Sequence, residues 1–220
     1  MPEFTILTVC LPAAVPVGSL AAAASAALAA HGITDAGPAG HFFTTARLRT
    51  SNLVQPYHGT AAGGPVKLLD LERMRADAHL KYWNRHELWQ QVTGGSPVAR
   101  PWWHFYDRYL ASPDTYTWDH AVQGFLNQPR ITCMRTYNSH PHRLTNLPIE
   151  HLDAFEAGPQ AYAVYGWLSA VPCQGLLTLD GALLRSASAR HTDQLTYLQQ
   201  ANERITALAA TDHLVAFATH

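Results

Sequence analysis

Apolar positions along the chain change period several times, and each change marks a new element. Phe4 to Leu11 (FTILTVCL) is nearly continuous in apolarity and rich in β-branched side chains, the pattern of a strand buried on both faces. Pro12 and Pro16 end it. Val17 to His31 is then almost wholly alanine and leucine, the strongest helix formers, with Gly32 where a glycine cap belongs. His41 to Thr50 alternates apolar and polar, as a half-exposed strand does. Towards the C-terminus the grammar repeats. Ala161 to Leu168 (AYAVYGWL) predicts a strand, and Gly175 to Arg185 predicts a hairpin about Asp180 and Gly181. Thr192 to Ala210 predicts a helix, with Leu195, Leu198, Asn202, Ile205 and Ala209 on one stripe and Thr192 or Asp193 as its cap. His213 to Thr219 closes the chain as a strand.

Strand, helix, strand followed by strand, helix, strand is the ferredoxin-like order. The expected fold is therefore α+β: a ferredoxin-like antiparallel sheet in a single domain of residues 1–220, with both terminal helices on one face. Residues 51–160 are too many for a structureless connection and form a large, mainly helical insertion. Gln55 to Gly64 reads as loop. Lys67 to Val92 carries apolar residues at helical spacing until Gly94 and Gly95, and Pro101 opens a helix on which Trp102, Phe105, Tyr106 and Tyr109 share a stripe.

Candidate chemistry concentrates between Arg100 and Arg143, which holds nine of the chain's 22 aromatic residues, four of its thirteen histidines and five arginines. Polar groups interleaved with flat apolar side chains are what a ligand site needs. Within the stretch, Trp102, Tyr106, Arg108, Trp118 and Arg135 are the expected ligand-binding residues, and His104, Asp119 and His120 the expected catalytic ones. His140 and His142 flank Pro141, whose extended backbone lets both imidazoles face one point, so a divalent metal is a possible cofactor, completed by Asp119, His120 or His104. These segments should converge. If Asp119 is buried beneath Trp118, it must be paired, with Arg108, Arg130 or Arg135 available.

Other patterns carry less. His58-Gly59-Thr60 matches one copy of the His-x-Thr element of two-histidine phosphoesterases, which need two. Gly63-Gly64-Pro65-Val66 reads as a plain turn, and Cys133 or Cys173 with a distant histidine reads as inert core more than as a nucleophile pair.

Trp118-Asp119-His120-Ala-Val-Gln-Gly124 resembles the Trp-Asp-Trp, three residues, Gly-Gly-Arg-Trp signature of uncharacterised proteins of actinobacteria and their phages; His120 and Phe125 depart from it and its Arg is absent. Thr178-Leu179-Asp180-Gly181 is similar to the same group's Thr-Pro-Asp-Gly hairpin. The resemblance implies a bacterial or phage origin and the order of the last elements, and no chemistry.

Net charge of −1 gives no field to gather nucleic acid, and no stretch is long and apolar enough to span a membrane. Three cysteines without paired spacing fit a cytoplasmic location. The functional expectation is a cytoplasmic module that binds a small molecule or a protein partner through its aromatic, His-rich insertion. The alternative is a His/Asp-dependent enzyme, with or without an assisting metal, acting on a small polar or phosphorylated substrate.

Overall fold

The computed structural model describes residues 5–45 and 50–219. The chain forms two compact units, one of Met1–Ala78 with Gly166–His220 and the other of His79–Tyr165. Residues 51–78, which the sequence places at the start of the helical insertion, thus belong to the first unit.

That first unit is built on a six-stranded sheet of mixed direction. Strand β1 (Thr5–Leu11) pairs antiparallel along its whole length with β8 (His213–Thr219), from Thr5 opposite Thr219 to Leu11 opposite His213. On its other side β1 pairs in parallel with β6 (Gly175–Leu177), which turns back into β7 (Leu183–Leu184). The expected sheet was antiparallel throughout. A ferredoxin-like sheet would give β1 antiparallel neighbours on both sides, whereas β6 runs parallel to it. A parallel neighbour needs a long crossover, and the residues between β1 and β6 supply one.

Two short segments complete the sheet on the far edge of β8: β2 (Ala36–Pro38) and β5 (Gly63–Pro65). The second corrects the reading of Gly63-Gly64-Pro65 as a turn. A side chain on Gly63 would lie 2.3 Å from the Leu214 carbonyl oxygen, so only glycine allows this pairing. A separate pair joins β3 (Phe42–Phe43) to β4 (Thr60–Ala61). Of the strand expected over 41–50, Phe42 and Phe43 are paired in β3 and Thr44 makes an isolated bridge to Leu69; residues 46–49 lie outside the described residues, as does Phe4. His58 (φ 43°) and Gly59 (φ 84°) are the central residues of the tight turn closed by Tyr57 and Thr60, so the His-Gly-Thr sequence is hairpin chemistry.

Alternation along β1 divides the sheet's two faces. Leu7, Val9 and Leu11 form one core with Val215, Phe217 and Leu177, covered by Leu20, Ala24 and Leu28 of helix α1 (Leu20–Ala29). No buried residue of the C-terminal helix, His191–Thr206, belongs to that core; its Tyr197, Leu198, Ala201, Asn202 and Ile205 are buried elsewhere. The two helices therefore do not share the expected common face. Nor is the C-terminal helix capped by Thr192 or Asp193: Arg190 stands at the cap and its side chain makes no capping hydrogen bond, and Asp193 accepts from Ser188.

The second unit is helical. Helix α2 (Leu71–Thr93) begins in the first unit, where Asp70 accepts from the Arg73 amide, and continues into the second. It is followed by α3 (Trp102–Ala111), α4 (Trp118–Leu126), α5 (Pro129–Ser139), α6 (Leu152–Glu156) and α7 (Pro159–Ser169). Helix α7 replaces the strand expected over Ala161 to Leu168. A continuous apolar run of eight fits either element, and burial resolves it: Tyr162, Ala163 and Tyr165 are buried while Ala161 and Val164 are exposed, the repeat of a helix. With the C-terminal helix as α8, the chain is α+β. Among the described residues no helix is long and apolar enough to cross a membrane.

Candidate functional site

In the helical unit an open cavity of about 410 Å³ is lined by His86, Trp89, Gln90, Thr93, Gly94, Arg130, Phe155, Glu156 and Gly158. Helix α2 presents His86 and Trp89 one turn apart, with exposures of 1% and 5%. Helix α5 contributes Arg130 in its first turn, and α6 ends on Phe155 and Glu156. Arg130 Nη1 donates to both oxygens of Glu156 at 2.6 and 2.7 Å, its Nε donates to Ser96 Oγ at 3.1 Å, and its Nη2 donates to the Ser96 carbonyl at 2.8 Å. Glu156 also accepts from the Ala99 amide. The guanidinium lies 5.2 Å from the Trp89 ring, which stacks on Phe155 at 5.1 Å and 7°. Arg130 and Glu156 are thus each fixed by several neighbours, the rigidity that a preformed site requires.

His86 makes one hydrogen bond, from Nε2 to the Phe155 carbonyl at 3.0 Å. Burial holds its imidazole below the ordinary histidine range, although that bond and the Glu156 and Glu87 carboxylates pull the other way. Its Nδ1 and the Trp89 Nε1 are buried without a hydrogen-bond partner.

The residues expected to form the site are arranged differently. Trp102, Tyr106 and Trp118 do come together: ring centroids are 6.0 Å apart for Trp102 and Tyr106, 5.4 Å for Trp102 and Trp118, and 6.2 Å for Tyr106 and Trp118. They knit α3 to α4, and Gly124 permits the approach, since a side chain there would sit 3.0 Å from the Phe105 ring. Arg108 lies over Tyr116 at 4.2 Å. His120 is a structural cap, accepting from the Thr117 amide while its own amide donates to Thr117 Oγ1. His104 is exposed and bonded to Arg100. Asp119 is exposed in the first turn of α4, so the burial beneath Trp118 does not occur; Arg130, one of its expected partners, is bound to Glu156. Arg135, His140 and His142 are exposed, the two imidazoles 5.9 Å apart with His140 Nδ1 accepting from the His142 amide. Among the described residues no group of three or more His, Cys, Asp or Glu side chains is placed to hold a metal ion.

The sheet unit holds a thiol and imidazole pair. Cys173 Sγ lies 3.1 Å from His41 Nε2, which also lies 2.9 Å from the Ala170 carbonyl. Cys173 adopts φ 54°, a strained conformation for a residue with a side chain. A carbonyl oxygen only accepts, so Nε2 carries the proton and cannot take one from the thiol. Burial pushes the thiol up to about 12 and the imidazole down, the reverse of the thiolate and imidazolium that a nucleophilic pair needs.

Compared with known protein families, with curated proteins and with solved structures, the chain finds no match.

Proposed function

We propose that the protein is a cytoplasmic ligand-binding protein that holds a small molecule in the cavity of its helical unit, between α2, α5 and α6. The observation that carries this reading is the Arg130, Glu156 and Ser96 network: withdrawing charges from water is costly, and holding a half-buried, multiply bonded pair in a cavity wall shapes a site at that cost. The volume, about 410 Å³, is within the usual range for small-molecule sites. Three free cysteines support a reducing compartment, and a bacterial or phage origin follows only from the Trp118 to Gly124 and Thr178 to Gly181 resemblances.

The test is a fragment screen read by the indole N–H resonances of the full chain, repeated with Gln90→Trp. Gln90 is exposed at the cavity's edge, so the larger side chain blocks the opening without disturbing the core. Fragments that move the Trp89 resonance in the native chain should leave it unmoved in the variant; equal responses in both would remove the cavity as the site.

A further inference from the structure

We propose a second binding site, in the sheet unit, that takes a small organic oxyanion: a carboxylate or a phosphate monoester carried on an apolar body. It is independent of the cavity in the helical unit. The site is a cavity of about 510 Å³ whose wall includes Thr44, Thr50, Leu53, Tyr57, His58 and Arg73. Among the described residues no aspartate or glutamate belongs to that wall, and Arg73 is its one side chain of fixed positive charge. The surrounding sequence is equally one-sided. From Ala36 to Leu69 the chain carries Arg47, Arg49 and Lys67 and neither aspartate nor glutamate. A cavity lined by one sign of charge draws the opposite one.

Arg73 is left unneutralised. Two carboxylates stand near it in the chain, and both are engaged elsewhere: Asp70 accepts from the Arg73 amide as the cap of α2, and Glu72 binds Arg75. Among the described residues the Arg73 guanidinium meets no carboxylate and lies 5.3 Å from the Phe43 ring. Its place in the first turn of α2 adds to the field, because a helix N-terminus already carries partial positive charge and disfavours a cation there. An anion beside Arg73 relieves both. The Thr44 and Thr50 hydroxyls and the His58 imidazole, which hydrogen-bond to no described residue, supply donors for the remaining oxygens. Tyr57 supplies the apolar side of the wall with Leu53: its ring is 72% exposed and stands edge-on to the His58 imidazole at 4.3 Å. A ligand that covers this ring with an apolar body and meets Arg73 with an oxyanion uses both halves of the cavity.

Benzoate and phenyl phosphate are the probes, with benzyl alcohol as the neutral comparison and acetate and inorganic phosphate as anions without a ring. Each is titrated into the full chain while the Gly59 and Thr60 amide resonances are followed. At least one ring-bearing anion should shift them saturably and bind at least about tenfold more tightly than benzyl alcohol, and the tighter of the two identifies the oxyanion. That preference should shrink as salt is raised. Arg73→Gln removes the charge and puts glutamine where a capping box has one, so it should fold at least as stably as the native chain and lose the anion at least about tenfold. Benzyl alcohol binding as tightly as the anions, undiminished binding to Arg73→Gln, or no shift with any probe overturns the proposal. Acetate or inorganic phosphate binding as tightly as its ring-bearing counterpart overturns it too, leaving an adventitious ion only. A probe that moves the Trp89 indole resonance and leaves Gly59 and Thr60 unmoved overturns this site while the cavity of the helical unit stands.

Discussion

Within the helical unit, the α3–α4 hairpin and the His86 to Glu156 cavity use similar side chains to opposite ends. The hairpin spends Trp102, Tyr106, Tyr109, Trp118 and Phe125 on one another, and its polar groups are caps and surface residues. The cavity has fewer rings, yet its arginine and glutamate are half-buried and bonded while two buried ring nitrogens have no hydrogen-bond partner. Aromatic density therefore marks where a two-helix unit makes its own core, and unbalanced polarity sets the cavity apart from it.

The largest way to break this contrast is to unpair the cavity. Glu156→Ala leaves Arg130 charged with its side chain only 13% exposed, and should cost about 3 to 5 kcal/mol in denaturant unfolding. A loss under about 1 kcal/mol would mean that water reaches Arg130 freely and that the wall is not preformed.

Acid should act on the cavity next. His86 is held below its ordinary value of 6.5 by burial, so the folded state favours the neutral ring. Its contribution is complete above pH 6.5 and is lost as pH falls through the lower folded value. His41, held down in the same way, adds to the loss. His86→Gln keeps a donor for the Phe155 carbonyl and cannot titrate, so its stability should fall less steeply below pH 6.5 than the native chain's. Identical pH profiles would show that His86 opens to water before it protonates.

The hairpin responds to packing instead. Gly124→Ala places a methyl carbon 3.0 Å from Phe105 and 3.1 Å from the Tyr116 hydroxyl, and overpacking of this kind costs about 1 to 3 kcal/mol. It should leave the response of the Trp89 indole resonance to fragments unchanged. A variant that loses binding along with stability would tie the hairpin to the site.

These outcomes bear on how much of the molecule its sequence discloses. Both terminal strands, the alanine helix, the Asp180–Gly181 hairpin and the helical character of the middle were legible, because each rests on local periodicity or turn chemistry. Helix α7 was not, since an unbroken apolar run has no period to read, and the parallel pairing of β1 with β6 was not, since register depends on partners far away in the chain. The cavity was the least visible part. In the sequence Arg130 stands out only as a partner available to Asp119. His86 and Glu156 carry no motif, and nothing local joins Arg130 to a glutamate 26 residues on. His41, which meets Cys173 across 132 residues, was hidden for the same reason.

Asp119→Ala should have the smallest effect, and it tests the contrast from the hairpin's side. The carboxylate is exposed in the first turn of α4, where a negative charge complements the helix N-terminus by about 0.3 to 1 kcal/mol. The Thr117 and His120 capping box holds that end without it. Asp119→Asn should lose the same amount as Asp119→Ala, because only the charge is used. Both losses should shrink as salt screens the interaction. A loss near that of Glu156→Ala, indifferent to salt, would mean that Asp119 is paired in solution with a buried cation. The hairpin would then carry an occupied polar site of its own, and the difference between the two regions would disappear.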